Sequence, residues 1–120
     1  MEVSFSLLEV LDRVRTKIRG YDLERLVRAV VRNLSSVQNV VAIFVCNDDR
    51  PLVARFIVVM QTRRNDWDDS IATSDTMNLR MTHLKRRFRP LQVGFDWELW
   101  GKWRRQDNFA GATRVWLRPR

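Results

Sequence analysis

Two apolar, β-branched runs joined by a polar turn constrain this chain more than any other feature. They lie in residues 39–61, NVVAIFVCNDDRPLVARFIVVMQ. Val, Ile and Phe suit a pleated, half-buried surface. Asn47, Asp48, Asp49 and Pro51 between them supply turn chemistry. The pattern predicts a β-hairpin. Both runs are almost continuously apolar, so the hairpin is expected to be covered on both faces or to lie centrally in a sheet. The cover must come from the flanking sequence.

On the N-terminal side, Ser6 and Glu9 form a capping box. Leu7, Leu11, Val14 and Ile18 follow on one helical face, and Gly20 is expected to end that helix. Asp22 then caps a second helix whose apolar positions are Leu23, Leu26, Val27, Val30, Val31 and Leu34. Its Arg25, Arg28 and Arg32 line another side and read as a solvated face. After the hairpin, TRRNDWDDSIATSD reads as a polar connector. Its Asp66, Asp68 and Asp69 lack the ligand number and glycine turn of a hard-cation loop, so no metal is expected. Asp75 is expected to cap a third helix with Met77, Met81, Leu84 and Phe88 on its core stripe, and Arg89-Pro90 stops it.

From Leu91 the period changes to two. Leu91, Val93, Phe95, Trp97 and Leu99 alternate with Gln92, Gly94, Asp96, Glu98 and Trp100, which predicts a strand. Gly101 marks a bend or bulge, QDNFAGA a turn region, and TRVWLRPR a last strand completing a hairpin. There Val115 and Leu117 fall on one face and Arg114, Trp116 and Arg118 on the other. The expected fold is α+β in the order ααββαββ, a mostly antiparallel sheet with helices packed against it. One domain is expected over residues 1–120, with a helix-helix-hairpin half at 1–75 and a helix-hairpin half at 76–120.

Composition narrows the class. Hydrophobic residues make up 45% and charged residues 30%, globular values. Charge enters the N-terminal stretch too early for a signal peptide, and no apolar run approaches the roughly 18 residues of a membrane span. The chain has one cysteine, Cys46, so no internal disulfide can form; it reads as a small buried hydrophobe. An intracellular, reducing compartment, cytoplasmic or nuclear, is expected. The net charge of +8 is unevenly placed. Residues 1–75 carry 11 basic and 11 acidic side chains, whereas residues 76–120 carry 11 basic and 3 acidic. A polarised field of this kind draws a polyanion to one region. Arginine outnumbers lysine 19 to 3, and arginine forks onto phosphates and stacks on bases.

Catalytic signals are scarce. The single histidine, His83, falls within the third helix without an orienting partner. Cys46 and His83 would pair only if the hairpin and that helix touched. There is no nucleophile elbow, Walker loop, dinucleotide fingerprint or zinc spacing. Asp96, Glu98 and Lys102 form a loose acidic-lysine group of the kind metal nucleases use, but a half-solvated strand face explains the same residues. Neither an enzyme nor a cofactor is expected.

The composition and pattern point instead to nucleic-acid binding, with RNA preferred. The expected phosphate-binding surface joins Arg80, Lys85, Arg86, Arg87 and Arg89 of the third helix to Lys102, Arg104, Arg105, Arg114 and Arg118 of the last hairpin. Alternation assigns Trp97 to the core and Trp100 and Trp116 to the outer face, where they are the expected base-stacking residues. The face of Trp103 depends on whether Gly101 bulges. The Trp97-Glu98-Leu99-Trp100 spacing resembles the paired end-capping tryptophans of tombusvirus-type RNA-silencing suppressors, which clamp short RNA duplexes. The resemblance covers four residues, and in that family the pair lies on a helix near the N-terminus. It implies a viral accessory protein binding RNA duplexes. The alternative is a protein-interaction or assembly subunit, because tryptophan and arginine are also enriched in interface hot spots. A homodimer through the N-terminal helices fits either reading.

Overall fold

A computed structural model describes residues 20–47, 50, 52–61, 67–100 and 103–119, with side chains at 20–22, 67–73 and 98–100 left aside. The elements are α1 (Gly20–Leu34), β1 (Val40–Cys46), β2 (Val53–Gln61), α2 (Trp67–Arg87), β3 (Gln92–Trp100) and β4 (Ala112–Leu117). The helix expected over Ser6–Ile18 lies outside the described residues. Among the described residues the fold is α+β, two helices with a four-stranded mixed sheet.

The hairpin forms as the two apolar runs predict. β1 pairs antiparallel with β2, from Val40 opposite Met60 to Val45 opposite Phe56. It is central, because the sheet order is β3-β2-β1-β4. The expected second hairpin does not form. β3 pairs parallel with β2, and β4 pairs antiparallel with β1 at the far edge. Parallel neighbours need a long crossover. α2 lies between β2 and β3 in the chain and belongs to that crossover. Hydrophobic alternation sets the face a strand shows the core, but it does not choose the strand's neighbour.

Both helices pack on one face of the sheet. In α1, Leu23, Leu26, Val27, Val30, Val31 and Leu34 are each at most 2% exposed. Burying such a side chain contributes about 1.5–3 kcal/mol. Packing of this stripe therefore holds a helix whose valines would weaken it in isolation. It also places the apolar stripe of α1 in the core. The helix begins at Gly20, two residues before the expected cap at Asp22.

In α2, Met77, Met81 and Leu84 are buried and Phe88 packs beside them, as their spacing predicts. The helix starts at Trp67, however, eight residues before the expected cap at Asp75. Asp68 and Asp69 fall in its first turn, where negative charge complements the helix dipole. Much of the polar stretch read as a connector is therefore helix. On the sheet beneath, Ile43, Val45, Ala54, Phe56, Val58, Val93 and Val115 complete this core, with Phe95 and Trp97 against it. The Trp97 indole N–H donates to the Met81 sulfur at 2.9 Å, tying β3 to α2.

The opposite face has its own cover. Ala42, Phe44 and Val59 meet Trp103, with Phe109 packed against them. The Phe44 and Phe109 rings meet edge-on with centroids 5.0 Å apart. The segment read as a turn thus crosses beneath β1 and β4 and closes the second face of the hairpin. Backbone bonds from Asp107 to Arg104 and from Ala112 to Phe109 shape it. Toward β2 and β3 the same face carries an exposed ion pair, Arg55 with Asp96 at 2.5 Å. Arg55 lies over Gly94, where an added Cβ would stand 3.5 Å from the Arg55 Cγ.

β4 contains a bulge that reverses one sequence expectation. Ile43 pairs with Trp116, but the next residue, Phe44, pairs with Arg114, which leaves Val115 as the extra residue. Val115 and Trp116 consequently both join the helix-side core. Trp116 is 5% exposed rather than outward, so the alternation that placed it with Arg114 is corrected.

Candidate nucleic-acid interface

The structure separates the expected basic surface into three groups. The first consists of arginines that hold the fold. Arg80 reaches from α2 to the end of α1, where its Nη1 donates to the Asn33 carbonyl oxygen and the Ser36 hydroxyl. Arg118 follows β4 and serves the same turn from the other side. Its Nε donates to the Val40 carbonyl at 2.7 Å, and its Nη2 donates to the carbonyls of Ser35 and Val37 at 2.9 Å each. The last carbonyls of a helix have no partner within it, and cationic side chains there also complement the dipole. Arg118 additionally lies 5.2 Å from the Trp116 ring centroid. Arg114 donates to the Arg105 carbonyl and Arg105 to the Arg118 carbonyl, each at 2.6 Å. These two bonds fasten the covering segment to the end of β4.

The second group lies apart from α2. Arg104 is exposed on the segment that covers the face of the sheet away from both helices. The covering segment and the C-terminal end of α2 therefore occupy opposite faces, and among the described residues they do not form one continuous patch. Lys102 and the side chain of Trp100 lie outside the described residues. Trp103 is 7% exposed within the second core.

The third group remains exposed on and after the last turn of α2: Lys85, Arg86, Arg87 and Arg89. Among the described residues none of the four forms an ion pair. Positive charge at a helix C-terminus is favourable in itself, which accounts for part of this run. The helical repeat then divides it. Arg86 lies on the outward side with Leu79, Thr82 and His83. Arg87 and Arg89 instead border a cavity of about 260 Å³ together with Arg25, Leu52, Phe88, Pro90 and Leu91.

This cavity brings together three distant parts of the chain. Arg25 comes from α1, Leu52 from the β1–β2 turn, and the rest from the end of α2 and the turn after it. A backbone bond from the Gln92 N–H to the Leu52 carbonyl, 2.7 Å, joins the latter two. Among the described residues no acidic side chain lines the cavity. Arg87 holds its guanidinium 5.2 Å from the Phe88 ring centroid. Chemically the site offers cationic forks around an apolar floor, the pairing that phosphates and base faces require. In the sequence Arg25 is not distinguishable from Arg28 or Arg32, because one exposed helix arginine looks like another. The only available signal for Leu52 was a large apolar residue directly after the turn proline.

Cys46 and His83 are not brought together. Cys46 is half-buried at the end of β1, following Phe44 in alternation onto the face away from the helices, while His83 is exposed on α2. Among the described residues no three of His, Cys, Asp and Glu are grouped to hold a metal ion. No described helix is long and apolar enough to cross a membrane. No protein-family model, curated protein or solved structure matches this chain.

Proposed function

We propose that this chain is a non-enzymatic nucleic-acid-binding protein that prefers RNA and binds at the C-terminal end of α2. One observation carries the reading: Arg25, Arg87 and Arg89 border a single cavity, with no acidic residue in its lining among the described residues. Lys85 and Arg86 extend positive charge beside it. Phosphate neutralisation by such groups releases counterions and supplies affinity. The charge asymmetry agrees, since all of the +8 net charge falls in residues 76–120. Arg104 belongs to a separate surface and is a secondary contact. Arg80, Arg105, Arg114 and Arg118 contribute through the fold that presents the site.

Titration of labelled RNA and DNA of the same sequence across a salt series tests this. Affinity should fall steeply between about 50 and 200 mM salt, and at equal salt it should be higher for RNA than for its DNA counterpart. Absence of binding to either at about 50 mM salt overturns the proposal.

A second reading, a protein-interaction subunit, is favoured by Leu79, which is 74% exposed on the outward side of α2. An apolar contact there would be nearly insensitive to the same salt series.

A further inference from the structure

Leu52 combines two features that rarely occur together. It is a large apolar side chain left 46% exposed, and its backbone has φ of 60°. That left-handed conformation suits glycine and disfavours a branched side chain. Turn chemistry alone would favour glycine here. What the leucine adds is an apolar wall to the arginine cavity. A residue held in an unfavourable conformation where it shapes a concave site is a mark of function.

The size and lining of the cavity limit what can enter it. About 260 Å³ lies just below the roughly 300–1,000 Å³ of ordinary small-molecule pockets. It admits one nucleotide unit and is far too small for a helix of paired bases. Leu52, Phe88, Pro90 and Leu91 offer apolar surface, which a duplex exterior of sugars and phosphates cannot use. An unpaired nucleotide presents a base face and a phosphate together. The Arg87 guanidinium already lies over Phe88, and a guanidinium plane of this kind stacks on bases as well.

Resting on the nucleic-acid reading above, we propose that the Arg25–Leu52–Arg87–Arg89 cavity takes a single unpaired nucleotide, with its base against the apolar wall and its phosphate on the arginines. The ligand class is therefore single-stranded RNA, or an unstacked base at an end, loop or bulge, rather than a continuous duplex.

The test uses the full chain with two probes, a labelled single-stranded RNA and the same strand annealed to its complement. The wild-type protein should bind the single strand about five- to tenfold more tightly, the effect of one stacked base. Leu52→Gly should remove that preference and leave duplex affinity unchanged. The backbone at this position suits glycine, so its melting temperature should not fall. Arg87→Lys keeps the charge but loses the planar fork, and should produce the same selective loss. Arg28→Ala, on the exposed side of α1 and paired with Glu24, should alter neither affinity. Equal wild-type affinity for both probes overturns the single-nucleotide assignment, as does a Leu52→Gly effect equal on both. Failure of both probes to bind at about 50 mM salt overturns the nucleic-acid reading itself.

Discussion

Arg118 donates from its Nε to the carbonyl oxygen of Val40 at 2.7 Å, across a sequence separation of 78 residues. The same guanidinium also holds the Ser35 and Val37 carbonyls. Truncating it leaves three partly buried carbonyls without this donor. Arg118→Ala should lower unfolding free energy in urea by about 2–3 kcal/mol, the range for hydrogen bonds to a charged group. RNA affinity, corrected for the folded fraction, should change little. An unchanged denaturation midpoint with weakened RNA binding would show that Arg118 is a contact residue after all.

Arg25 and Arg28 form the sharper comparison for the binding site. They lie one helical turn apart on α1, both exposed. Only Arg25 borders the cavity, while Arg28 pairs with Glu24 at 3.0 Å. Arg25→Ala should weaken RNA binding and reduce the slope of log affinity against log salt by about one. Arg28→Ala should leave the slope intact. Equal effects from the two would point to a diffuse field rather than a site.

Trp116 makes a prediction opposite to that of a stacking residue. It is 5% exposed, and the Val115 bulge turns it into the helix-side core. Trp116→Ala should cost about 3–5 kcal/mol in equilibrium unfolding. Its fluorescence should be barely altered by added RNA in a variant retaining only this tryptophan. A strong RNA-dependent quench would contradict the placement.

Thr113, opposite Val45, is 4% exposed, and among the described residues its hydroxyl has no hydrogen-bond partner. A buried polar group without a partner is unfavourable, and valine has nearly the same shape. Thr113→Val should therefore raise stability by about 1 kcal/mol, visible as a higher urea midpoint at unchanged slope. A loss of stability would mean that the hydroxyl is bonded.

The sequence was most legible where one local rule governed the outcome. The β1–β2 hairpin follows from β-branched runs around turn residues. The α1 stripe and the Met77–Met81–Leu84 stripe follow from helical spacing. The start of α2 was obscured because Asp68 and Asp69 look like loop residues yet suit a helix N-terminus. The last two strands were misjoined because periodicity identifies faces rather than neighbours. Trp116 was misplaced because a one-residue bulge, silent in the sequence, inverts the alternation beyond it. The division of the arginines was least legible. Arg80, Arg105, Arg114 and Arg118 donate to backbone carbonyls, acceptors that every residue carries and no sequence pattern marks.

The separation of β3 and β4 has a consequence for biosynthesis. β1 is flanked by β2 and β4, but β4 is the last of these strands to be made. On the ribosome, β1, β2 and the β3 crossover can assemble while the β4-facing edge of β1 still stands open. That edge includes Ile43, Phe44 and Val45, an apolar run of the kind that invites pairing with a second nascent chain. Until residues 112–117 emerge, that edge has no strand of this sheet to pair with. Arg118, following directly behind, then secures the strand once it has docked.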